Sequence, residues 1–366
     1  MEKKLVAIVS NDPAWTYNLR REVIEGLLGS GYRVALIVGY GEKLEPLIEM
    51  GCEHYDVPLE RHGMNPIHEL QLIGKYRKVL KRIRPDAVLT YTLKPNSYAG
   101  FLCRKMKIPC IANVTGLGNP IQNGGIVQKI TLALLKGGVK KAKTVFFQNA
   151  QNKDFLLERK IVPGGWRLLP GSGVNTGHFA LLPYPSTAEG TEFVFISRVM
   201  RPKGIGEYLA AAKILKKEYP DTKFHICGFC EDEFEEEVKA LAADGTVIFH
   251  GMIPDTREIL KTTHCTVLPS YHEGMSNVLL ESASAGRPVI ASAIPGCAET
   301  FDEGVSGFGC EAKSAESLTA AMRRFLALSE EEKAAMGLAG RKKVEKEFDR
   351  QIVVRAYLDE LNEIFA

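Results

Sequence analysis

Short apolar runs alternate with longer segments of helical periodicity from the start of the chain. The first runs occupy residues 4–10, 32–38, 86–91, 108–114 and 144–149, and β-branched residues are frequent in them. Continuous apolar runs of this length indicate strands that are buried on both faces, as in a parallel sheet covered by helices. Residues 1–180 therefore predict an α/β lobe built from βαβ units.

A second series of the same kind follows a break in the pattern. Residues 181–192 are rich in Pro, Gly, Ser and Thr and predict a linker. Apolar runs return at 193–197, 223–228, 246–251, 265–269 and 288–292, and they predict a second Rossmann-like lobe over residues 193–345. Two such lobes are expected to face each other across a cleft, because ligands bind outside the carboxyl ends of parallel strands.

The final segment, 346–366, predicts one more helix. Its apolar residues recur at helical spacing and form a stripe that must be buried somewhere in the fold. The stripe consists of Ile352, Val353, Ala356, Tyr357, Leu361 and Ile364.

Charge divides the chain unequally. Of its 366 residues, the first 180 hold 26 Lys and Arg against 14 Asp and Glu, whereas the remainder hold 21 against 30. Residues 101–150 hold eight basic residues and no acid. This excess predicts a surface for phosphates, nucleic acid or an anionic bilayer, with a solvated basic face as the plain alternative.

Two basic segments of the first lobe predict amphipathic helices. Residues 69–84 favour a helix packed on the core with a basic outer face. Residues 126–143 are more apolar and are the better candidate for lying on a bilayer. The chain has no signal-peptide pattern and no run of about 18 apolar residues, so we expect a cytoplasmic protein, peripheral on the inner face of the cell membrane.

The eight cysteines are scattered through predicted strands and helices, which is typical of reduced, buried thiols. Cys227 and Cys230 form one CxxC pair without a second pair to complete a zinc site. No metal site is predicted.

The second lobe holds the clearest candidate chemistry. Arg198 and Lys203 follow its first strand, and two cations in a loop at the carboxyl edge suit a diphosphate. A helix is predicted to begin near Met275 to Asn277, directly after another strand. Phosphate oxygens bind such helix starts, because backbone N–H groups and the helix dipole both favour an anion. The predicted contacts there are Gly274, Met275, Ser276 and Asn277.

Two carboxylates frame that helix start. Glu281, one to two turns into the helix, can reach vicinal hydroxyls such as those of a ribose. Glu273 lies in the preceding loop and can face a sugar ring. The alternative for Glu281 is an acid that simply favours the positive end of the helix dipole.

These residues resemble a known family. Glu273, seven residues and then Glu281, within the stretch EGMSNVLLESASAGRPVIAS, together with the upstream Arg198 and Lys203, resemble the retaining GT-B glycosyltransferases of glycosyltransferase family 4. The resemblance covers essentially the whole chain. It implies that Arg198 and Lys203 hold the diphosphate of a nucleotide sugar, that Glu281 binds the ribose, and that Glu273 faces the donor sugar. It also implies that the final helix crosses back to the first lobe.

A segment of the first lobe indicates a subgroup of this family. Residues 91–118 are similar to bacterial enzymes that extend polyprenyl-diphosphate-linked glycans for capsule, O-antigen or protein N-glycosylation, including N-acetylgalactosaminyl- and galactosyltransferases. Many members carry a His where this chain has Leu93, which leaves Lys94 as the polar group near the transfer site. We expect the acceptor side to include Asn11, Trp15, Asn96, Thr115 and Gly116. The GxG at Gly116 and Gly118 lacks a third Gly and does not predict a dinucleotide site.

The expected reaction follows from this set. Arg198, Lys203 and the helix start can stabilise the departing diphosphate of a UDP-sugar, and with no Asp-x-Asp triplet we expect turnover without a metal and without another cofactor. Retention at the anomeric carbon is implied by the resemblance. The alternatives are a nucleotide-sugar epimerase of the same fold, an inactive nucleotide-sugar-binding subunit and, from the basic charge alone, a nucleic-acid-binding protein; we expect a monomer that does not bind nucleic acid.

Overall fold

The computed structural model describes residues 3–60, 65–118, 121, 124–162, 164–230 and 232–366. The chain forms two compact units, one from the residues up to 172 together with 351–366, and the other from 173–350. Each is a parallel α/β unit, as predicted. The structure groups residues 173–192, including the predicted linker, with the second unit.

The first unit is built on a seven-stranded sheet in which every neighbouring pair is parallel. The strand order is β3-β2-β1-β4-β5-β6-β7, so the chain reverses its direction of growth between β1 and β4. That reversal opens a crevice at the carboxyl edge. The strands are β1 (Leu5–Val9), β2 (Arg33–Val38), β3 (Glu53–Asp56), β4 (Ala87–Tyr91), β5 (Cys110–Val114), β6 (Thr144–Phe147) and β7 (Gly165–Leu168).

Helices cover both faces of this sheet. One face is packed by α1 (Pro13–Gly29) and α2 (Leu44–Glu49). The other is packed by α3 (Pro66–Ile83), α4 (Leu93–Met106), α5 (Gly125–Val139) and α6 (Ala150–Glu158). Side chains buried on both sides of the sheet explain why the inner strands β1, β2, β4, β5 and β6 are continuous apolar runs, whereas the edge strands β3 and β7 are more polar and more exposed.

The second unit contains a six-stranded parallel sheet of order β10-β9-β8-β11-β12-β13. Its reversal point lies between β8 and β11, which are neighbours in the middle of the sheet. The strands are β8 (Glu192–Ile196), β9 (Lys223–Cys227), β10 (Ile248–Gly251), β11 (Cys265–Leu268), β12 (Val289–Ser292) and β13 (Gly307–Cys310).

One helix follows each of the strands β8 to β11, a 3-10 turn at Ala298–Thr300 lies between β12 and β13, and two helices follow β13. The helices are α7 (Ile205–Glu218), α8 (Asp232–Ala243), α9 (Thr256–Thr262), α10 (Asn277–Ser284), α11 (Ala315–Leu326) and α12 (Glu330–Glu347), with a 3-10 turn at Arg201–Lys203. Phe193, Phe195, Tyr208, Phe224 and Phe325 form the centre of the largest core cluster.

The last helix, α13 (Arg350–Phe365), packs in the first unit. Val353, Tyr357 and Leu361 are buried among residues of α1, β1 and β2, so the predicted stripe is covered as expected. The Tyr357 hydroxyl donates a hydrogen bond to Oδ1 of the buried Asn113. The C-terminal helix therefore completes the core of the first unit, although it follows the second unit in the sequence.

Candidate functional site

Two loops meet at the carboxyl edge of the second sheet. Gly204 ends the 3-10 turn after β8 with a φ of +75°, and a Cβ at this position would lie 2.1 Å from the carbonyl oxygen of Pro269. The backbone N–H of Tyr271 donates to the carbonyl of Pro202 at 2.9 Å. Since β8 and β11 are neighbouring strands at the reversal point, the residues after them are held together where ligands bind in such sheets.

The contact brings Lys203 to Glu273. Lys203 Nζ lies 2.6 Å from Glu273 Oε1, and both side chains are mostly buried. The Ser270 hydroxyl donates to the same carboxylate oxygen at 2.8 Å. Seventy residues separate the cation and the acid in sequence, yet they form one preorganised pair.

Helix α10 begins beside this pair. The N–H of Ser276 donates to the carbonyl of Gly296 at 2.8 Å, and Gly296, with a φ of +86°, packs against the carbonyls of Glu273 and Gly274. The Ser276 side chain makes no capping hydrogen bond. The first N–H groups of a helix have no acceptor within the helix, so an anion at this start is favoured by hydrogen bonding and by the dipole.

The predicted phosphate contacts differ in how their side chains are placed. Met275 is only 8% exposed and packs in a small core cluster with Leu280 and Val344. Ser276 is 3% exposed. Gly274 and Asn277 are half-buried at the helix start. A ligand at this position would therefore meet mainly backbone groups.

Glu281 lies one turn further along α10 and is half-buried. Burial raises the pKa of Glu281 to about 7, and the nearby Arg350 guanidinium opposes that rise. Arg350 is itself buried and donates to the carbonyl of Gly173 at 3.0 Å. The acid is thus held in an environment that stabilises its charge poorly when no ligand is bound.

Arg198 follows β8 and is exposed, in contrast to Lys203. The next residue, Val199, is buried and its N–H donates to the carbonyl of Phe229 at 2.9 Å, which ties this loop to the loop after β9. Arg198 therefore stands on an anchored backbone at the same edge as Lys203.

The carboxyl edge of the first sheet contains a cavity of about 310 Å³. It is lined by the residues that follow the first three strands, among them Asn11, Asp12, Tyr40, Glu42 and Leu59. Asn11 was predicted on the acceptor side from its position after β1. Trp15, predicted with it, lies in the first turn of α1 with 49% of its surface exposed.

Lys94 lies at the start of α4 after a strained residue. Thr92, the residue before the helix, has a φ of +70°, which is uncommon for a β-branched side chain. Lys94 Nζ lies 2.6 Å from Glu69 Oε1 and donates to the carbonyl of Glu60 at 2.7 Å. The ammonium is thereby held at this edge by α3.

The predicted residue Asn96 is only 1% exposed, and its amide is used within the fold. It accepts from the Thr90 hydroxyl at 2.7 Å and donates to the carbonyl of Asn113 at 2.8 Å. Its observed role is to join α4 to β4 and β5, and its predicted contact with the acceptor stays a prediction. Thr115 and Gly116 are half-buried directly after β5, with open space beside Gly116; residues 119 and 120 of the same turn lie outside the described residues.

Comparison with known proteins identifies the family. The family described as "Glycosyl transferase 4-like" matches residues 5–149. The family described as "Glycosyl transferases group 1" matches residues 184–343, so each unit matches its own family. The chain belongs to these glycosyltransferase families, and its fold is GT-B. The two sheets and the returning helix α13 are the architecture expected of them.

One relative is similar to this chain over nearly the whole length of both proteins. It is 24% identical over 372 residues, which cover 96% of this chain and 97% of the relative. The relative is the N,N'-diacetylbacillosaminyl-diphospho-undecaprenol alpha-1,3-N-acetylgalactosaminyltransferase of Campylobacter jejuni.

Solved structures share the fold of this glycosyltransferase. A glycosyltransferase from Rickettsia africae is 21% identical with a TM-score of 0.79, over 100% of this chain and 99% of that one. Anabaena HepE in complex with UDP and glucose is 15% identical with a TM-score of 0.78, over 98% and 100% of the two chains.

The structure adds two residues to the candidate site of the glycosyltransferase. Phe229 and Met252 are large apolar side chains, 44% and 69% exposed, just after β9 and β10. Their loops are joined by a hydrogen bond of 2.8 Å from the N–H of Gly228 to the carbonyl of Gly251. Exposed apolar groups beside a candidate phosphate site suit the faces of a nucleobase. In the sequence, these two positions are marked only by an apolar residue close to the end of a strand. A reading based on periodicity assigns such a residue to the core and not to a binding site.

Proposed function

We propose that the protein is a retaining glycosyltransferase that moves a hexose or N-acetylhexosamine from a UDP-sugar to a polyprenyl-diphosphate-linked saccharide. The reaction would serve bacterial surface-glycan or glycoprotein synthesis. The observation that carries the proposal is the Lys203–Glu273 pair beside the start of α10, with Arg198 at the same edge. The polyprenyl-diphosphate acceptor is proposed from the Campylobacter jejuni relative, whose name states one.

Charge develops on the β-phosphate as the donor sugar departs, and stabilising that charge is the main catalytic task. Lys203 has three N–H donors, so it can keep its contact with Glu273 while it donates to a phosphate oxygen. Arg198 can bind two oxygens at once, and the helix start adds backbone N–H groups. We propose that these groups are sufficient without a metal.

We propose that Glu273 is the carboxylate that faces the donor sugar. Held by Lys203 and Ser270, it keeps a fixed orientation and can stabilise positive charge at the anomeric carbon. Glu281 would bind the ribose hydroxyls, and Phe229 with Met252 would contact the base. Retention would follow from attack by the acceptor hydroxyl on the face from which the diphosphate leaves, and the diphosphate itself can take the proton.

The acceptor is proposed to approach the carboxyl edge of the first sheet. Asn11, Trp15, Thr115 and Gly116 are the groups proposed to contact it, with Lys94 nearest the transfer site. The lipid tail would keep the enzyme, as a monomer, at the inner face of the cell membrane. Among the described residues, no helix combines the length and apolarity that crossing a membrane requires.

A screen of nucleotide sugars by thermal shift tests the donor side first. Positive donors are then incubated with a short polyprenyl-diphosphate-linked saccharide, and the product is read by mass and its anomeric configuration by NMR. We expect one transferred sugar with retained configuration and unchanged rates in EDTA. Epimerised donor formed without acceptor would instead identify an epimerase, and donor binding without any turnover would identify a binding subunit.

A further inference from the structure

Helix α5 presents an apolar face away from the core of the first unit. Ile126, Ile130 and Leu134 follow one another at intervals of four residues, so they share one face of the helix. They are 76%, 55% and 44% exposed. The opposite face, with Leu132, Leu135 and Val139, is buried against β5 and β6. The helix therefore has apolar side chains on both faces, and only one face is covered by the fold.

Positive charge lines this exposed face. Lys129, Lys136 and Lys140 recur at helical spacing along one edge of the exposed stripe, and all three are exposed. Residues 101–150 contain eight Lys and Arg and no Asp or Glu, so no acid of this segment neutralises them. An exposed apolar stripe flanked by Lys is the pattern of a helix that lies in a bilayer interface.

The neighbouring helix α4 packs directly on α5 and carries basic residues of its own. Gly138 of α5 packs so closely on α4 that a Cβ there would lie 2.0 Å from the carbonyl oxygen of Asn96. At the end of α4, Arg104 and Lys105 lie over the ring of Phe101, at 5.0 and 5.1 Å from its centroid. The tight contact at Gly138 fixes α5 against α4.

We propose that the face formed by Ile126, Ile130 and Leu134 with Lys129, Lys136 and Lys140 docks on an anionic lipid bilayer. The proposal deepens the proposed function, on which it rests for the lipid-linked acceptor. Charge complementarity selects the bilayer, because anionic headgroups meet the lysines while the apolar side chains enter the acyl boundary. Since α5 begins after β5, the docked face starts at the edge that holds Thr115 and Gly116.

Co-sedimentation of the full-length protein with vesicles tests the docking face. The vesicles contain phosphatidylcholine alone or mixed with phosphatidylglycerol. The wild type is expected to sediment with the anionic vesicles at low salt, to be released at high salt, and to ignore the neutral ones. The triple variant Ile126→Ser, Ile130→Ser, Leu134→Ser should lose binding by about tenfold or more.

A matched control substitutes exposed apolar residues elsewhere. Ile214 and Leu338 of the second unit are 41% and 46% exposed, and Ile214→Ser with Leu338→Ser should leave vesicle binding unchanged. The charge variant Lys129→Glu, Lys136→Glu, Lys140→Glu should lose binding to anionic vesicles without altering an exposed apolar group. Circular dichroism and thermal shift with UDP check that every variant is folded.

Vesicle binding that is lost in both α5 variants and kept in the control supports the docking face. That result stands even if no nucleotide sugar binds, in which case the proposed function alone fails. Wild-type protein that stays in the supernatant with anionic vesicles at low salt overturns the proposal. If the face instead binds a second copy of the chain, the wild type will be a dimer in solution and the triple variant a monomer. That result also overturns the proposal.

Discussion

The carboxyl edges of the two sheets are built on the same topology but use their polar residues differently. In the second unit, Lys203 and Glu273 form a mostly buried ion pair at the edge, and close glycine contacts hold their loops. In the first unit, Asn96 and Asn113 lie at the equivalent edge but are buried in hydrogen bonds to the fold. The first edge instead offers a cavity and an exposed tryptophan.

The difference matches what each edge is proposed to bind. A diphosphate needs fixed charges and N–H groups at defined distances. Residues that meet these requirements occur close together and at set spacings, so they form a recognisable sequence motif. A saccharide acceptor can be held by a polar cavity and an aromatic surface, which many residues can provide. The following experiments test this contrast, from the largest expected effect to the smallest.

Replacing Lys203 by Ala should lower kcat/KM for transfer by about 100- to 1000-fold, because a preorganised donor to the departing diphosphate is lost. The matched control is Arg201→Ala, two residues earlier in the same turn. Arg201 is 63% exposed and pairs with Glu233, so its loss should change the rate by less than about threefold. Equal effects of the two variants would show that Lys203 has no special role.

Gly204→Ala should destabilise the second unit by about 2 to 5 kcal/mol, since it adds a methyl group against the Pro269 carbonyl and requires a positive φ. Gly245→Ala is the control, because Gly245 also has a positive φ but open space beside it. It should cost about 1 kcal/mol. Urea titrations of both variants measure the difference, and similar midpoints would contradict the close loop contact.

Glu281→Gln should remove a pH dependence of nucleotide binding. With a pKa of about 7 in the unliganded protein, Glu281 is mostly protonated below pH 6 and ionised above pH 8. If ribose hydroxyls bind the carboxylate, wild-type affinity for UDP should rise about tenfold across this window relative to the variant. The terminal phosphate of UDP also titrates near pH 6, at about the usual second phosphate pKa, so calorimetry on both proteins isolates the contribution of Glu281.

The same residue predicts the pH dependence of stability. A carboxyl whose pKa is raised in the folded state stabilises the fold below its unfolded pKa and loses that contribution as pH rises through the folded value. The unliganded wild type should therefore lose stability relative to Glu281→Gln as the pH rises from about 4.5 to about 7. A constant difference in melting temperature over this range would contradict the raised pKa.

Trp15→Ala should raise the KM for the acceptor by about three- to tenfold without changing UDP affinity, because it removes an exposed aromatic surface. Trp166, the other tryptophan of the chain, is 43% exposed on β7 and provides the control. Trp166→Ala should leave both parameters unchanged. Loss of UDP binding in Trp15→Ala would place Trp15 outside the acceptor side.

Much of the fold could be read from residue patterns because burial leaves a periodic signal. The apolar runs of both halves became strands, and the stripe of the last helix is buried as expected. The site was less accessible to such reading. The sequence suggested that the Asn96 amide binds a ligand. Its partners are Thr90 and Asn113, which lie on two different strands, and the sequence does not show that these strands are neighbours.

The sequence by itself determined the alternation of strands and helices, the unequal charge of the two halves, and the motif from Arg198 to Glu281. These features depend on local composition and spacing, which are properties of the chain. Only the tertiary structure decided that Lys203 meets Glu273, that Glu281 has a raised pKa, and that Phe229, Met252 and one face of α5 stay exposed. Pairing, burial and exposure depend on neighbours distant in sequence, so they arise only when the sheets assemble.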